Sequence, residues 1–351
     1  MKTNLRDKSI LVTGHTGFKG AWLSEWLLRV GARVSGLALP PEEDTALYNL
    51  LALHDRLHHY ESDIRDAAAV VEIVKRCVPE VVFHLAAQAL VRRGYREPLA
   101  TWETNVIGTI NLLEALKLLR RPVTVVVVTT DKVYENREWE FPYRESDRLG
   151  GFDPYSASKA ACEIAVASWR ASFSKESGVS VVTARAGNVL GAGDYSEDRI
   201  VPDCFRAWSR GESVLLRNPN STRPWQHVLE PLSGYIALAE MVRANKFSLD
   251  SCNFGPGLAG NRSVATLVSA FAALAPNRDY TIGPTGSFHE AGALSLAIDR
   301  ARHKLGWSPR LSFLETVSWT NSGYVVEQSK LPELVRGQIS DFEARRPEID
   351  S

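Results

Sequence analysis

Near its N-terminus the chain reads Ser9-Ile10-Leu11-Val12-Thr13-Gly14-His15-Thr16-Gly17-Phe18-Lys19-Gly20, an apolar run that leads directly into a glycine-spaced turn. Apolar residues at helical spacing follow and stop at Gly31. Strand, glycine turn and helix in this order are the context of a dinucleotide-binding fingerprint, because the glycines let the backbone approach a pyrophosphate at the helix N-terminus. The spacing is G-x-x-G-x-x-G rather than G-x-G-x-x-G, so the context, and not the glycines alone, predicts nucleotide binding.

Strand and helix patterns continue to alternate up to an apolar run at 179–184, which is typical of an α/β fold with a doubly wound, Rossmann-type parallel sheet. We predict a dinucleotide-binding domain over 1–187, to which a strand and a helix from about 225–255 return. Residues 188–351 are predicted to form mainly a smaller, mixed α/β substrate-binding lobe. Its helical patterns lie near 200–208, 229–244 and 264–273, and a charged helix with a frayed end follows residue 328.

The composition is that of an ordinary globular chain, with 44% hydrophobic and 23% charged residues among 351. Lys and Arg together number 41, as do Asp and Glu, which argues against broad attraction to nucleic acid or to a membrane surface. The four cysteines are widely spaced without a Cys-x-x-Cys motif, so we expect neither a disulfide framework nor a metal site. No signal peptide or spanning segment is visible, so the expected location is the cytoplasm.

A second decisive stretch, Thr129-Thr130-Asp131-Lys132, closes the apolar run at 123–128 and is followed by Tyr155-Ser-Ala-Ser-Lys159. Polar groups at the carboxyl end of a buried parallel strand lie where open α/β sheets bind ligands. On a helix Tyr155 and Lys159 face the same side, and an ammonium beside a phenol favours the phenolate. With Thr130 as a second hydrogen-bonding group, these residues predict a site that removes the proton of a carbinol while a cofactor accepts the hydride.

Cofactor contacts are expected where the other strands end. Asp63-Ile64 follows the third strand near the predicted adenine site, and Asp66 is the alternative, structural residue as a helix N-cap. Leu85-Ala86-Ala87 ends the fourth strand with small side chains that let a cofactor pass close to the backbone. Asn105 is buried by its pattern and must be hydrogen-bonded, either to the cofactor or within the protein. The second strand ends at Leu39 without an acidic residue or an arginine pair, which leaves NAD and NADP both open.

Arginines recur in the loops of the C-terminal lobe, and a guanidinium group binds phosphate through two parallel hydrogen bonds. Each of these arginines is either a phosphate ligand or an ordinary surface residue. Arg223, in Arg-Pro-Trp-Gln-His227, stands in the most distinctive setting. A different polar stretch contains His54, His58 and His59, which we interpret as exposed helix and loop residues without a metal.

These motifs resemble the extended short-chain dehydrogenase/reductase superfamily. The matching residues are the glycine turn, Asp63, His84-Leu-Ala-Ala87, Asn105 and Tyr155-x-x-x-Lys159. Within the superfamily the chain is similar to the CDP-glucose branch of the sugar-nucleotide 4,6-dehydratases over nearly its whole length. That similarity is carried by 129–139, 142–145, 150–156, 185–189, 223–228 and 289–290. Residues 296–302 depart from the usual pattern of the branch.

The resemblance implies a tightly bound NAD, a nucleotide-sugar substrate and three sets of site residues. The implied catalytic residues are Thr130, Asp131, Lys132, Tyr155 and Lys159. The implied cofactor contacts are Gly14, Thr16, Gly17, Phe18, Lys19, Gly20, Asp63, Ile64, Leu85, Ala86, Ala87, Asn105, Thr129, Tyr155 and Lys159. The implied substrate contacts are Gln88, Asn188, Arg199, Arg223 and His289.

The implied reaction is loss of water from CDP-D-glucose to give CDP-4-keto-6-deoxy-D-glucose, on a route to deoxysugars of surface polysaccharide. By analogy with the Thr-Asp-Glu branch, Asp131 is the acid at the carbon 6 hydroxyl and Lys132 the base at carbon 5. A lysine with a pKa of about 10.4 is a poor base at neutral pH, so the two roles stay interchangeable at this stage. The alternatives are an epimerase or reductase and, in another class, a non-catalytic nucleotide sensor. No residue type reads the nucleobase by itself.

In this superfamily two helices form a four-helix bundle between the subunits of a dimer. The equivalent segments here, 99–119 and 155–173, carry broad apolar stripes. Their members are Leu112, Leu113, Leu116, Leu119, Ala161, Ile164, Ala165 and Trp169. The resemblance therefore predicts a homodimer, and packing of these stripes against their own sheet is the alternative.

Overall fold

The structure is a computed structural model that describes residues 3–244, 249–257, 260–283 and 292–346. A seven-stranded sheet in which every neighbouring pair is parallel forms its centre. The strands of this sheet are β1 (Ser9–Thr13), β2 (Arg33–Ala38), β3 (His58–Glu61), β4 (Val81–His84), β5 (Val123–Val128), β6 (Val179–Ala186) and β11 (Ser251–Phe254). Their spatial order is β11-β6-β5-β4-β1-β2-β3, which confirms the predicted doubly wound parallel sheet.

The register of the central strands brings their carboxyl ends to one edge. Every residue of β5, Val-Thr-Val-Val-Val-Val, is buried, as expected of a parallel strand with helices on both faces. Thr13 pairs with His84 between β1 and β4, and Val128 pairs with Ala184 between β5 and β6. The residues that follow these strands, among them Gly14 and Thr129, therefore lie side by side.

Two helical layers cover the sheet. One face packs against α1, α9 and α12, and the other against α3, α6 and α7. The helices are α1 (Phe18–Arg29), α2 (Leu47–Leu50), α3 (Ala67–Cys77), α4 (Val91–Arg96), α5 (Pro98–Trp102), α6 (Gly108–Lys117), α7 (Pro154–Ser177), α8 (Ile200–Ser209), α9 (Leu229–Arg243), α10 (Val264–Ala272), α11 (Phe313–Val325) and α12 (Leu331–Ala344). The longest, α7, begins where Asp153 accepts a hydrogen bond from the Ser156 amide and ends at Gly178, whose φ is +76°.

Short strand pairs build the region beside the carboxyl edge of the sheet. Two of them are parallel and one is antiparallel. The pairs are β7 (Val189–Leu190) with β10 (Gln226–His227), β8 (Val214–Leu216) with β13 (Tyr280–Ile282), and β9 (Thr222–Pro224) with β12 (Asn261–Ser263). Between them the chain returns to the main sheet, where α9 packs on β5 and β6 and β11 pairs with β6.

The interpretation of the histidine stretch was wrong for two of its three members. His58 and His59 begin β3, where His59 Nδ1 lies 2.8 Å from His15 Nε2. An edge strand needs no apolar run, and this one is half exposed, which is why its composition gave no strand signal.

The frayed end predicted for the C-terminal tail is wrong for α12. This helix buries Leu331, Val335, Ile339 and Phe342 in the core beside α1. The ring of Phe342 meets Trp26 edge-on, with centroids 5.8 Å apart. The charged residues that suggested an exposed end occupy the opposite face of an amphipathic helix.

The apolar stripes that predicted a dimer interface lie largely inside the chain. Leu112, Leu113 and Leu116 of α6 are fully buried in the layer between the helices and the sheet, and Trp169 of α7 is nearly so. Ile164 is the stripe residue that is strongly exposed, at 59%. Packing against their own sheet, the alternative interpretation, therefore accounts for most of the stripe.

Replacing Phe342 by Ala tests the role of α12 in the core. Loss of a fully buried aromatic ring is expected to lower the free energy of unfolding by about 3–5 kcal/mol. Urea unfolding followed by circular dichroism measures it. Leu314→Ala is the matched control, because Leu314 is 68% exposed on α11 and its loss should cost little. Equal effects of the two substitutions would mean that α12 does not belong to the core.

Candidate active site

The predicted catalytic residues meet at the carboxyl end of β5. Thr130 caps a short 3₁₀ turn, Asp131–Val133, and its hydroxyl donates to Asp131 Oδ1 over 2.9 Å. Tyr155 lies in the first turn of α7 and Lys159 one turn later, and both side chains are buried. The Thr130 hydroxyl lies close enough to the Tyr155 phenol to lower the pKa of that phenol. The site therefore brings a phenol, a hydroxyl and a carboxyl together in a buried cleft.

Asp131 has the environment of a carboxyl group that keeps its proton. It is 3% exposed, and its Oδ2 accepts no hydrogen bond from any residue that the structure describes. Burial raises its pKa, against the opposing effects of Lys132, Thr130 and Arg223. A buried carboxyl group whose pKa is raised is suited to act as a general acid.

Gly187 leaves the space that Asp131 occupies. A Cβ at this position would lie 2.5 Å from Pro224 Cγ and 3.1 Å from Asp131 Oδ2. Any larger residue would therefore displace the carboxyl group or the strand β9 behind it.

The predicted effect of Lys159 on Tyr155 is not seen in the chain itself. The Lys159 ammonium donates to the Val128 carbonyl over 3.2 Å, and burial lowers the pKa of this lysine. The pKa of Tyr155 is raised to about 12, mainly by burial and also by the neighbouring Asp131, although Thr130 opposes the shift. The prediction of a lowered phenol pKa was wrong for the chain alone, because burial outweighs the opposing effects of Thr130 and Arg199.

A buried carboxylate, Glu163, connects the two halves of the site. It accepts the hydroxyls of Thr129 over 2.5 Å and Thr183 over 2.7 Å. Arg185 donates to it through Nε at 3.0 Å and Nη2 at 2.7 Å. Because Glu163 lies one turn beyond Lys159 on α7, it fixes that helix to the ends of β5 and β6.

The loop after the catalytic turn is anchored to the same network. Arg185 Nη1 donates to the Tyr134 hydroxyl over 2.9 Å, and Tyr134 donates to Asn253 Oδ1 over 2.7 Å. The Tyr134 and Tyr143 rings stack with centroids 5.1 Å apart. Asn253 Nδ2 donates to the carbonyls of Tyr143 and Ala297. The loop that follows the catalytic turn is therefore packed through aromatic rings.

The glycine turn fits a dinucleotide. Gly14 has a φ of +74°, and a Cβ there would lie 2.7 Å from the Ala86 amide nitrogen, so β1 and β4 approach closely at this point. Gly17 precedes α1 without a side-chain cap, and the first turn of α1 holds no acidic residue. The free amide groups and the helix dipole at this end suit the pyrophosphate of a dinucleotide.

Several predicted cofactor residues also have partners inside the chain. Asp63 pairs with Arg65, whose Nη2 lies 2.6 Å from Oδ2, and this contact lowers the pKa of Asp63. Ile64 is buried in the layer around α3 and α6. The Asn105 amide nitrogen donates to the Gln88 carbonyl and to Ser158 Oγ, and its oxygen accepts from the Gln88 amide. The structure thus assigns the hydrogen bonds of Asn105 to holding the chain after β4.

The remaining predicted cofactor residues surround the same turn. Thr16 donates to the Leu39 carbonyl at the end of β2 over 2.9 Å. The Ala86 amide donates to Thr13 Oγ1, and Phe18 packs on the main core. Leu85 and Ala87 follow β4 beside them, Leu85 partly buried against the same core. Gly20, in α1, faces Gly14 with no room for a side chain.

Lys19 faces the same cleft as Asp131. The pKa of Lys19 is lowered to about 7, mainly by burial and next by the positive charge of Arg199. The carboxyl groups of Asp131 and Asp194 oppose this shift. A lysine in this state loses its proton near neutral pH, so its charge depends on what binds beside it.

The structure places the predicted substrate residues unequally. Arg223 is buried, donates to the Thr222 carbonyl and lies close enough to influence the pKa of Asp131. Arg199 pairs with Asp194 over 3.3 Å. Gln88 donates to Thr101 and accepts from the Leu90 amide, and the Asn188 carbonyl accepts from the Gln226 amide. His289 lies outside the described residues.

Neither a metal-binding cluster nor a membrane-spanning helix is found among the described residues. Within the described part of the chain, no group of three or more His, Cys, Asp or Glu side chains is arranged to hold a metal ion. Over the same residues, no helix combines the length and the apolar character needed to cross a membrane.

This geometry agrees with what comparison with known proteins shows. The family model for GDP-mannose 4,6 dehydratase matches residues 11–252. The chain therefore belongs to this family of nucleotide-sugar dehydratases, enzymes built on the short-chain dehydrogenase/reductase fold.

Two relatives narrow the comparison. The CDP-glucose 4,6-dehydratase of Salmonella typhimurium is 42% identical over 320 residues, which cover 89% of each chain. The dTDP-glucose 4,6-dehydratase of Mycolicibacterium smegmatis is 30% identical over 62% of this chain and 65% of that one.

Solved structures show the same fold. The UDP-glucose 4-epimerase of Thermotoga maritima, determined with UDP-glucose, superposes with a TM-score of 0.76 at 25% identity, over 90% of this chain and 98% of that one. MoeE5 in complex with UDP-glucuronic acid and NAD gives a TM-score of 0.74 at 26% identity, with the same coverage.

Sequence reasoning missed the roles of Glu163, Tyr134 and Asn253. Glu163 had a usable signal, because it lies four residues after Lys159 and so shares its helix face. Tyr134 and Asn253 had none, since they lie 119 positions apart in the sequence and only the fold brings their side chains into a hydrogen bond.

Replacing Glu163 by Gln tests the buried network. Removal of the carboxylate leaves the Arg185 charge buried without its partner, so the free energy of unfolding should fall by about 3–5 kcal/mol. Urea unfolding measures it, with Glu212→Gln as the control for an exposed pair with Arg210. The double variant Glu163→Gln/Arg185→Met should lose less than the sum of the single changes. Additive losses would contradict a coupled pair.

Proposed function

We propose that this enzyme removes water from CDP-D-glucose to form CDP-4-keto-6-deoxy-D-glucose. The observation that carries the proposal is the meeting of Tyr155, Thr130 and a buried Asp131 with a raised pKa. An epimerase or a reductase needs the first two groups but has no use for an extra acid in this place. The 42% identity to a CDP-glucose 4,6-dehydratase supports CDP-glucose as the substrate.

In this proposal the cofactor is NAD, which supplies the hydride acceptor for carbon 4 and the hydride donor for carbon 6 when it is bound. The residues present fit it: the N-terminus of α1 with Gly14, Gly17 and Gly20 would hold the pyrophosphate. Tyr155 and Lys159 lie at the carboxyl edge of the sheet beside that turn. NAD also stands in the solved structure of MoeE5, whose fold this chain shares.

Tyr155 is the group that removes the proton of the 4-hydroxyl, and Thr130 holds the same hydroxyl by a second hydrogen bond. Because burial raises the pKa of Tyr155 in the chain alone, its deprotonation requires additional positive charge at the site. Lys159 lies one turn away, and the nicotinamide ring of oxidised NAD is cationic. Both charges favour the phenolate.

Elimination of water requires an acid at the carbon 6 hydroxyl and a base at carbon 5. The raised pKa of Asp131 supports Asp131 as the acid. Lys132 follows it directly in the 3₁₀ turn and is the proposed base. Arg223, buried beside Asp131, and Arg199 are the proposed contacts of the substrate diphosphate.

Purified enzyme incubated with catalytic NAD and one of four substrates tests the proposal. CDP-glucose, dTDP-glucose, UDP-glucose and GDP-mannose are compared by product mass. A loss of one water from CDP-glucose without net formation of NADH is the expected result. Water loss from GDP-mannose alone would assign the substrate that the family description names. An unchanged mass with an inverted sugar would overturn the dehydratase proposal in favour of an epimerase.

Asp131→Asn separates the acid from a structural role. Loss of the general acid should lower kcat by roughly 10²–10⁴ while CDP-glucose still binds.

The same substitution should raise the stability of the folded protein above the pKa of the unfolded carboxyl group. The native carboxyl has a raised pKa, so the folded state binds its proton more tightly, and stability falls as pH rises from the unfolded pKa of about 3.9 towards the native value.

The Asn variant should therefore have a higher Tm than the native enzyme at pH 8, and the difference should vanish at pH 3. Asp203→Asn, at a half-exposed carboxylate on α8, serves as the control. A lower Tm for Asp131→Asn at pH 8 would contradict the proposal that the buried carboxyl group of Asp131 destabilises the fold when it is ionised.

We further propose that the enzyme is a cytoplasmic homodimer that serves the synthesis of deoxysugars for surface polysaccharide such as lipopolysaccharide O-antigen. Support for the dimer comes from exposed apolar side chains on the segments that precede α6 and on α7, namely Leu99, Trp102, Ile107, Ile164 and Phe173. Sedimentation equilibrium at micromolar concentration should give twice the chain mass, and Ile164→Glu should lower it. A monomeric native protein would count against the dimer.

A further inference from the structure

A cavity of about 450 Å³ opens at the amino ends of β1 to β5, at the opposite edge of the sheet from Tyr155 and Asp131. Its walls come from the starts of the strands and from the end of α3. The residues that line it include three arginines, Arg33, Arg76 and Arg121, and the pair His58 and Tyr60. None of the residues implied in catalysis, cofactor binding or substrate binding lies there.

The charge of this cavity is strongly positive for a chain whose net charge is zero. Within the described residues, the guanidinium groups of Arg33, Arg76 and Arg121 make no hydrogen bond or ion pair. The carboxylate that lines the cavity, Glu80, is already paired with Lys8 over 3.2 Å and with Arg243 over 3.1 Å. Three like charges around one cavity repel one another, and a bound anion would relieve that repulsion.

The floor of the cavity carries groups that can donate hydrogen bonds. Ser35 and Tyr60 lie beside the Cys77 thiol, which is half-buried. The last carbonyl of α3, that of Cys77, accepts from Ser9 Oγ over 3.0 Å, which reduces the negative end of the helix dipole. Hydroxyl, phenol and arginine groups around one space are the donors that bind phosphate oxygens.

We propose that this cavity binds a di- or triphosphate anion, either free or as the phosphate chain of a nucleotide. Three arginines match the charge of a polyphosphate, and the volume exceeds what a single phosphate group fills. The rings of Tyr60 and His58 on β3 offer a surface for a nucleobase beside the arginines. The site is separate from the dehydratase centre and does not depend on the proposed reaction.

Cys77 reports on the site directly. It is half-buried in the cavity, whereas Cys162, Cys204 and Cys252 are buried elsewhere. Inorganic tripolyphosphate is added to enzyme saturated with NAD, which occupies its own pyrophosphate site. The rate of Cys77 alkylation by iodoacetamide is then measured by mass spectrometry, and one tripolyphosphate per chain should slow it at least fivefold. CTP is the second probe, and protection at a lower concentration than tripolyphosphate needs would identify a nucleotide as the ligand.

The triple variant Arg33→Ser/Arg76→Ser/Arg121→Ser should weaken this protection at least tenfold and leave dehydratase activity unchanged. The control variant Arg144→Ser/Arg148→Ser/Arg210→Ser removes the same charge from exposed arginines elsewhere. It should change the protection of Cys77 less than twofold. Arg121→Ser alone, before β5, replaces the triple variant if that does not fold.

Two results would overturn the proposal. They are unchanged alkylation of Cys77 at saturating probe and equal weakening in the control variant. The dehydratase assay is unaffected by either of them, so failure here is distinguishable from failure of the proposed function.

Discussion

The buried ion pair between Glu163 and Arg185 is the interaction on which the geometry of the site depends. Both side chains are at most 5% exposed, and the carboxylate also accepts the hydroxyls of Thr129 and Thr183. A buried pair of this kind contributes little net stability compared with apolar residues, because both ions lose their hydration. Its contribution is to fix the relative positions of the elements that carry the site residues. It joins the helix that carries Tyr155 to the strand end that carries Thr130, so the spacing of the two reacting groups is set below the cleft.

The electrostatics of the cleft follow from the same burial. Desolvation raises the pKa of Asp131 and of Tyr155 and lowers that of Lys159 and Lys19, so each group is pushed towards its neutral form. The raised pKa of Asp131 suits its proposed role as the acid that gives a proton to the carbon 6 hydroxyl. Part of this burial comes from α9, which packs on β5 and β6 beneath the site.

The sequence predicted the parts of this enzyme that depend on local pattern. The glycine turn, the valine-rich β5 and the Tyr155–Lys159 spacing each follow from neighbours along the chain, and the structure places them as expected. It failed where a property depends on partners distant in sequence. The pKa of Tyr155 depends on its burial by several elements. The burial of the apolar stripe on α6 depends on which face of the helix meets the sheet. The packing of Phe342 depends on α1, which lies more than 300 residues away in the sequence. Composition alone also hid β3, whose polar residues suit an edge strand.

A parallel sheet has two chemically different ends, and this one uses both. The carboxyl ends of β1, β4 and β5 carry the dinucleotide turn and the catalytic groups, whereas the amino ends carry the arginine-lined cavity. The strands between them hold four to six residues, which at about 3.3 Å per residue separates the two ends by roughly 13–20 Å. That distance exceeds the Debye length of about 8 Å at physiological salt, so exposed charges at one end are largely screened from the other. Asp131 is buried, so salt screens it less, and an anion at the amino ends could act on it through the distance-weakened Coulomb interaction or through movement of α3 or of the strands.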